Sequence, residues 1–344
     1  MSRWVVVLAG GIGSRFWPLS TPERPKQLLP LVSDRPLLRD TLERVRPLAD
    51  AAHTLILTNA SLVPAIAALA PEIPRQNLIA EPQPAGTAAA LAWAAHRIAE
   101  ADGPQATMLS VHADWAVGDA AGFRRALVSA AEAAEHQASL VTVGIVPSRP
   151  DPGFGYVQPA DEVAPGVRRV QRFVEKPDAA RAAEMCADGY LWNSGIFVWR
   201  VGDYLADLAA HTPEVAPALA AHPDDLAAFF AAVTPISVDV GVMERSTRVL
   251  VIPGNFGWDD IGVWGALRRV RERDAQGNAM SGDAHAVDAH NNVVHAESGT
   301  VVLYGVDDLV VVTRDGLTVV TTVEKSHTLK DLLPRLPASV RDQR

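Results

Sequence analysis

The stretch VVVLAGGIGSRFWPLSTPERPKQLLPL, residues 5–31, decides how this chain is read. It opens as an apolar run rich in valine and then places glycines at 10, 11 and 13. Arg15, Pro18, Pro22, Pro25 and Lys26 follow before the next hydrophobic segment. A packed core gains nothing from such an exit. Glycine backbone leaves its N–H groups uncovered, so an anion can approach them closely, and Arg15 and Lys26 add positive charge beside it. The alternative is a tight strand-exit turn flanked by solvated basic residues. Two known phosphate motifs are excluded. A dinucleotide fingerprint requires a third glycine where Phe16 stands and a loop that feeds a helix directly, and a Walker loop requires Gly-Lys-Ser/Thr, which does not occur. What remains is a long, proline-punctuated phosphate loop with a lysine near its end.

Working outward, short β-branched runs alternate with Ala/Leu-rich segments through residue 150. Trp4–Ala9, His53–Thr58, Asn77–Ala80, Ala106–Val111 and Ser139–Val146 read as buried strands. Pro36–Val45, Ser61–Ala70, Gly86–Ala101 and Ala120–His136 read as helices. This order predicts an α/β fold, a doubly wound, mostly parallel, Rossmann-like sheet that binds ligands at the carboxyl ends of its strands. Further on, Tyr156–Gln158, Arg168–Glu175 and Tyr190–Trp199 read as strands, and Asp178–Cys186, Asp203–Leu208, Asp224–Val233 and Ile261–Arg273 as helices. Beyond Asn278, Val-rich runs at Ala284–Asp288, Asn292–Ala296, Thr300–Tyr304, Leu309–Thr313 and Thr318–Thr322 predict a small β-rich module, with Glu324–Leu333 as a capping helix. The domains are therefore drawn at 1–272 and 275–344.

A chain of 344 residues suits two domains, and 48 % hydrophobic residues suffice for sizeable cores. The net charge of −9 opposes nucleic-acid and anionic-membrane partners. The single cysteine, Cys186, permits no internal disulfide and reads as a small buried apolar residue. No window approaches the roughly 18 apolar residues that span a bilayer, and the first apolar run is too short for a signal segment. A soluble, cytoplasmic protein is expected.

Several further motifs accompany the opening one: AEPQPAGTAAALAWAA (80–95), GFGYVQP (153–159), RFVEKPD (172–178), WNSGIFVWR (192–200), ISVDVGVME (236–244), GWDDIGVWGAL (257–267) and VDDLVVVTRDGLTVV (306–320). Together with LAGGIGSRFWPLSTPERPKQLLPL they resemble, over nearly the whole chain, the sugar-phosphate nucleotidylyltransferases, in the variant of the mannose-1-phosphate guanylyltransferases. The resemblance implies GTP and mannose 1-phosphate as substrates, GDP-mannose and pyrophosphate as products, and Mg2+ as cofactor. It also implies a C-terminal module shaped as a short left-handed β-helix, and a homodimer. The chain stops short of the isomerase domain of bifunctional relatives, so transferase activity alone is expected.

The resemblance assigns nucleotide contacts to Leu8, Ala9, Gly10, Gly11, Gly13, Ser14, Arg15 and Lys26, with Lys26 at the transition state and Arg15 on the leaving pyrophosphate. It gives the metal to Asp114 and Asp260, and the sugar phosphate to Gly155, Glu175, Lys176, Asn193 and Asp260. Glu81 and Thr87 would face the base or ribose. Five of these residues also have a plain structural reading: Asp260 and Thr87 as helix N-caps, Glu175 and Lys176 as an exposed turn, Arg15 as a surface residue. Around Asp114 the sequence reads VHADWAV, so His112 and Trp115 replace the neighbours usual in the family, and its surroundings stand in question. Trp4, Trp93 and Trp199 are expected in the core; Trp17, Trp192 and Trp258 flank the motifs, where the alternatives are shaping the pocket or plain packing. The rival readings are the same chemistry on a heptose or glucose 1-phosphate, and a non-catalytic nucleotide-sugar-binding regulator.

Overall fold

The structure is a computed structural model that describes residues 2–11 and 13–341. In chain order it contains β1 (Arg3–Leu8), α1 (Leu37–Val45), β2 (Thr54–Asn59), α2 (Val63–Leu69), β3 (Leu78–Glu81), α3 (Gly86–Asp102), β4 (Thr107–His112), β5 (Ala116–Val117) and α4 (Ala120–Gln137). Then come β6 (Leu140–Ile145), β7 (Tyr156–Ala164), β8 (Val167–Val174), α5 (Ala179–Ala187), β9 (Leu191–Arg200), α6 (Val201–His211), α7 (Ala216–Ala221), α8 (Leu226–Ala232), β10 (Val249–Gly254), β11 (Trp258–Asp259) and α9 (Leu267–Val270). The last strands are β12 (Ala279–Ser281), β13 (Ala284–Val287), β14 (Val293–Ala296), β15 (Val301–Tyr304), β16 (Leu309–Arg314) and β17 (Leu317–Thr322). No helix among the described residues is long and apolar enough to cross a membrane.

Compactness divides the chain along a line that crosses the sequence-read domains. One unit holds residues 1–10, 43–112 and 119–256; the other holds 11–42, 113–118 and 257–344. In the first, nine strands form a sheet ordered β3-β2-β1-β4-β9-β6-β10-β8-β7. The pairs β1–β2, β1–β4 and β2–β3 are parallel, as the alternating pattern predicts, and β6–β10 is parallel too. The expected mostly parallel sheet is nevertheless mixed. Strand β9 runs antiparallel to both β4 and β6 at its centre, and β8 and β7 are antiparallel. A fully buried strand is an apolar run in either direction, so periodicity carries no sign of orientation. Likewise, the pattern assigns nothing to VLVIPG, which becomes β10 beside β6.

The core of this unit is built on α3, whose alanines 88–90, 92, 94 and 95 are buried and let Leu91, Trp93 and Ile98 seat against the sheet. Trp93 stacks on Phe229 with centroids 5.4 Å apart. Trp4, Trp93 and Trp199 are core residues as expected; Trp17, Trp192 and Trp258 are buried as well. Cys186 departs from its reading: it is half-buried, and its thiol donates to the Arg149 carbonyl at 3.5 Å.

In the second unit, β12, β14 and β16 pair in parallel, as do β13 and β15, while β17 closes antiparallel on β16. The chain thus climbs in short stacked coils. The capping helix is instead a kinked 3₁₀ segment, Lys325–Asp331, broken at Thr328. One hydrophobic core joins these coils to the opening loop: Phe16, Trp17, Leu19, Leu29 and Leu31 pack with Ile261, Trp264, Leu267, Val293, Val310, Val312 and Leu329. Polar groups finish the seam. The half-buried Arg271 donates to the Leu31 carbonyl at 2.6 Å, Arg314 to the Pro18 carbonyl at 3.1 Å, and Trp264 Nε1 to the Trp17 carbonyl at 3.2 Å. The loop pairs part of its own backbone in short turns, such as Phe16 N–H to Gly13 and Arg24 N–H to Thr21, and these side chains take up carbonyls at Trp17, Pro18 and Leu31.

Candidate active site

After β1 the chain bends at Gly13, whose φ is +67°, into the 3₁₀ turn Ser14–Phe16. A side chain is barred there twice over: the conformation is left-handed, and an added Cβ would collide with Lys26 Cβ. The loop is therefore folded directly over Lys26. Arg15 sits exposed on the 3₁₀ turn, as does Ser14. At Gly11 a Cβ would meet no atom of the described residues within 4 Å, so that glycine leaves backbone open rather than making room for the protein itself.

Lys26 is almost entirely buried, which is unusual for an ammonium and demands compensation. Its Nζ donates to Asp114 Oδ2 at 3.1 Å and to the backbone carbonyl of Asp260 at 2.5 Å, and it lies 5.8 Å from the Phe16 ring centre. All four residues belong to the second unit. A short antiparallel ribbon sets the two aspartates. Ala116 of β5 faces Asp259 of β11, so Asp114 precedes the ribbon and Asp260 follows it. Trp115 packs edge-on against Trp258 with centroids 5.8 Å apart. The unusual Trp115 thereby stiffens the ribbon, and His112 ends β4 opposite Leu8.

The expected helix Ile261–Arg273 does not form as such. Ile261 has φ +46°, and only the 3₁₀ turn Trp264–Ala266 and the four-residue α9 follow. The cause lies in the paired aspartates. Asp259 accepts from the Ile261 N–H at 2.9 Å and holds Arg269 through bonds of 2.6 and 3.0 Å. Asp259 thus carries the structural work, and Asp260 is not a helix cap. The Asp260 carboxyl is pushed above the usual range, mainly by burial; Lys26 opposes this, while the charges of Asp259 and Asp114 add to it. Two carboxylates that repel each other at a half-buried position match the donor set of a divalent, oxygen-seeking cation such as magnesium.

The first unit carries a separate group of candidates. Leu8, Ala9 and Gly10 end β1 beside Glu81, which ends β3; a Cβ on Gly10 would stand 3.6 Å from Glu81 Oε1. Burial raises the Glu81 carboxyl to about 7. Thr87 is not an N-cap, since the cap residue is Ala85 without a side-chain bond. Its Oγ1 instead accepts from the Val238 N–H at 2.9 Å. On the other side of the sheet, Gly155 accepts from the Asn193 N–H at 2.8 Å, and a Cβ on Gly155 would come 3.0 Å from Glu175 Oε2. Gly155, Glu175 and Asn193 are thus contiguous. Lys176, at φ +37°, turns its Nζ back to Glu175 Oε1 at 2.6 Å, and both side chains are exposed.

The sequence reading passes over Asp239 and Glu244, although both lie inside the quoted ISVDVGVME. Asn193 Nδ2 donates to Asp239 Oδ1 at 2.7 Å. The Glu244 carboxyl is raised by burial first, then by the charges of Asp239 and Glu175. The available signal is the pair of acids spaced five apart around a glycine, which no regular helix or strand would place together.

A family model described as nucleotidyl transferase matches residues 4–277. The chain is 38 % identical to the alginate biosynthesis protein AlgA of Pseudomonas aeruginosa, over 95 % of this chain and 71 % of that protein. It is 33 % identical to a mannose-1-phosphate guanylyltransferase of Salmonella muenchen, over 100 % of this chain and 75 % of that protein. A crystal structure from Thermus thermophilus, described as "mannose-1-phosphate geranyltransferase", superposes with a TM-score of 0.91 at 34 % identity, covering 97 % of this chain and 99 % of that one. The sheet and its glycine-rich loop are shared by many nucleotide-binding folds, and it is the family match that marks this one as an enzyme class that transfers nucleotidyl groups. This chain belongs to the nucleotidyl transferase family.

Proposed function

We propose that the chain transfers GMP from GTP to α-D-mannose 1-phosphate, releasing pyrophosphate and forming GDP-mannose. One observation carries this reading: a buried lysine at the end of a glycine loop, bonded to Asp114 and to the backbone of Asp260. The relatives named for mannose-1-phosphate guanylyl transfer support the choice of substrates. The attacking oxygen belongs to a phosphate that is already anionic near neutral pH, so no general base is required. The protein's work is to align two polyanions and to balance charge as the oxygen attacks the α-phosphorus in line and pyrophosphate leaves.

In this reading the backbone of residues 8–11, 13 and 14 lines the triphosphate, Arg15 binds the leaving pyrophosphate, and Lys26 meets charge developing at the α-phosphate. Asp114 and Asp260 hold Mg2+, which supplies charge neutralisation on the phosphate oxygens. Glu175, Asn193 and the Gly155 backbone take the sugar hydroxyls, with Lys176 toward its phosphate. Glu81 and Thr87 serve the base or ribose. A left-handed wind of the C-terminal coils, a homodimer built on them and a cytoplasmic setting belong to the same proposal. The direct test is phosphorus NMR of the chain with GTP, mannose 1-phosphate and magnesium. The expected spectrum shows a new asymmetric diphosphate and pyrophosphate in equal amounts; GTP unchanged in the presence of the sugar phosphate would refute the reading.

Glu81 gives this proposal a pH signature. Its raised carboxyl, near 7, is protonated at pH 6 and ionised at pH 8. Only the ionised form accepts two hydrogen bonds from nucleoside donors. The KM for GTP should therefore rise as pH falls from 8 to 6, by roughly tenfold at most, one pH unit below the carboxyl's own value. Glu81→Gln should flatten that dependence. Initial rates at varied GTP across this range check it, and an unchanged slope in the variant would remove Glu81 from the nucleotide.

A further inference from the structure

We infer that Asp239 is a positioning residue of the sugar-phosphate subsite, orienting the Asn193 side chain through the bond from Asn193 Nδ2 to Asp239 Oδ1. This deepens the functional reading above and rests on it.

The geometry fixes the amide at both ends. The Gly195 N–H donates to Asn193 Oδ1 at 3.3 Å while Asn193 Nδ2 donates to Asp239 at 2.7 Å. One orientation of the amide satisfies both contacts, and the flipped one satisfies neither. The second hydrogen on Nδ2 is then directed by the first, and it is the group Asn193 has left to give to a pyranose hydroxyl. Because the acceptor is a carboxylate, the bond is charge-assisted and resists rotation of the amide better than a neutral partner would.

Asp239 is itself held by unusual backbone. It opens a single π turn, Asp239–Met243, in which the Glu244 N–H returns to the Asp239 carbonyl at 2.8 Å. Such turns cost helical regularity and cluster at functional positions. Here the turn is anchored at both ends. The buried Thr212 hydroxyl donates to the Gly241 carbonyl at 2.7 Å, and a Cβ on Gly241 would press on Thr212 Cγ2 at 3.2 Å and Ile236 Cγ2 at 3.3 Å. Upstream, the Ala88 N–H donates to the Ile236 carbonyl at 3.2 Å and Val238 N–H to Thr87 Oγ1. Gly86 has no room for a Cβ against the Ile236 carbonyl. The first turn of α3 and α6's end thus clamp residues 236–241, and Asp239 is delivered to Asn193 by that clamp. Close by, the Glu244 carboxyl is raised by burial first and then by the charges of Asp239 and Glu175. Three carboxylates and one amide make an acceptor-rich surface, which suits the hydroxyl donors of a sugar.

The test is steady-state kinetics with the full chain and each substrate varied in turn. Asp239→Ala should raise the KM for mannose 1-phosphate about 10- to 100-fold, as expected for loss of a charged hydrogen-bond partner, and leave the KM for GTP within about twofold. Asp239→Asn keeps an acceptor at the same place and should recover most of the loss. The double variant Asn193→Ala/Asp239→Ala should be no worse than Asn193→Ala alone, because the carboxylate acts through the amide. Additive losses in the double variant, or equal rises in both KM values, would overturn the assignment; the second result would mark a general structural role. If Asp239→Ala fails to fold, Asp239→Asn against Asp239→Leu decides by the same split. A wild-type chain inert toward sugar 1-phosphates would sink the functional reading itself, an outcome distinct from an active wild type with an equally active Asp239→Ala.

Discussion

Replacing Lys26 with methionine is expected to lower kcat by roughly 10²- to 10³-fold while changing the KM for either substrate only a few-fold. That range is what loss of one preorganised donor to a transition-state oxyanion costs. The separation between kcat and KM follows from the geometry. Lys26 is buried and already tied to Asp114 and the Asp260 carbonyl, so it cannot reach far for a ground-state phosphate. A fixed charge of this kind acts where charge accumulates, at the α-phosphorus during attack. Methionine keeps the length and apolar stem, so the packing against Phe16 and Gly13 survives. Arginine should not rescue, because its planar fork cannot occupy a space shaped for one ammonium. Equal loss in kcat and rise in KM would instead place Lys26 among simple binding residues.

Asp260→Asn should abolish activation by magnesium and lower turnover by at least roughly 10²-fold, yet it should not destabilise the metal-free protein. The sign follows from the raised carboxyl. A group whose folded pKa lies above its unfolded value contributes stability that is complete below the unfolded value and is lost as pH rises through the folded one. At neutral pH the ionised Asp260 is therefore a cost that asparagine removes, and asparagine can still accept from the Gly262 N–H, bonded now at 3.2 Å. Thermal unfolding checks this without an activity assay. Metal-free Asp260→Asn should melt at or above the wild-type temperature, and magnesium should raise the wild-type value alone, since only a ligand bound to the native state stabilises it. A magnesium-induced rise of equal size in both proteins would take the metal away from Asp260.

Much of this site is legible in the sequence because its chemistry is local. The glycines at 10, 11 and 13 follow an apolar strand, and Lys26 closes the same loop, so strand exit and charge are read together. Asp114 is found similarly, just past β4. Other features depend on contacts far along the chain. Nothing in Tyr190–Trp199 reveals that β9 runs against its neighbours, because burial on both faces erases alternation. The apolar spacing of Ile261–Arg273 is helical, but Asp259 takes the Ile261 N–H and Arg269 and turns the chain over instead. Asp239 looks like one acid among many until Thr212, Thr87 and Gly86 are seen to set its turn. The role of the C-terminal coils is the largest such gap. As sequence they are a terminal appendage, whereas their valines complete the core beneath Phe16, Trp17 and Leu29, which hold the glycine loop.

The central claim is that this loop and its two aspartates transfer a guanylyl group to mannose 1-phosphate. It is tested most directly by pyrophosphate release in magnesium, crossing GTP, ATP, UTP and dTTP with mannose 1-phosphate and glucose 1-phosphate. Release with GTP and mannose 1-phosphate, and none from Asp114→Ala or Asp260→Ala, is the predicted result. Release confined to another pair would contradict the assigned substrates, and silence in every combination with GTP still bound would contradict catalysis itself.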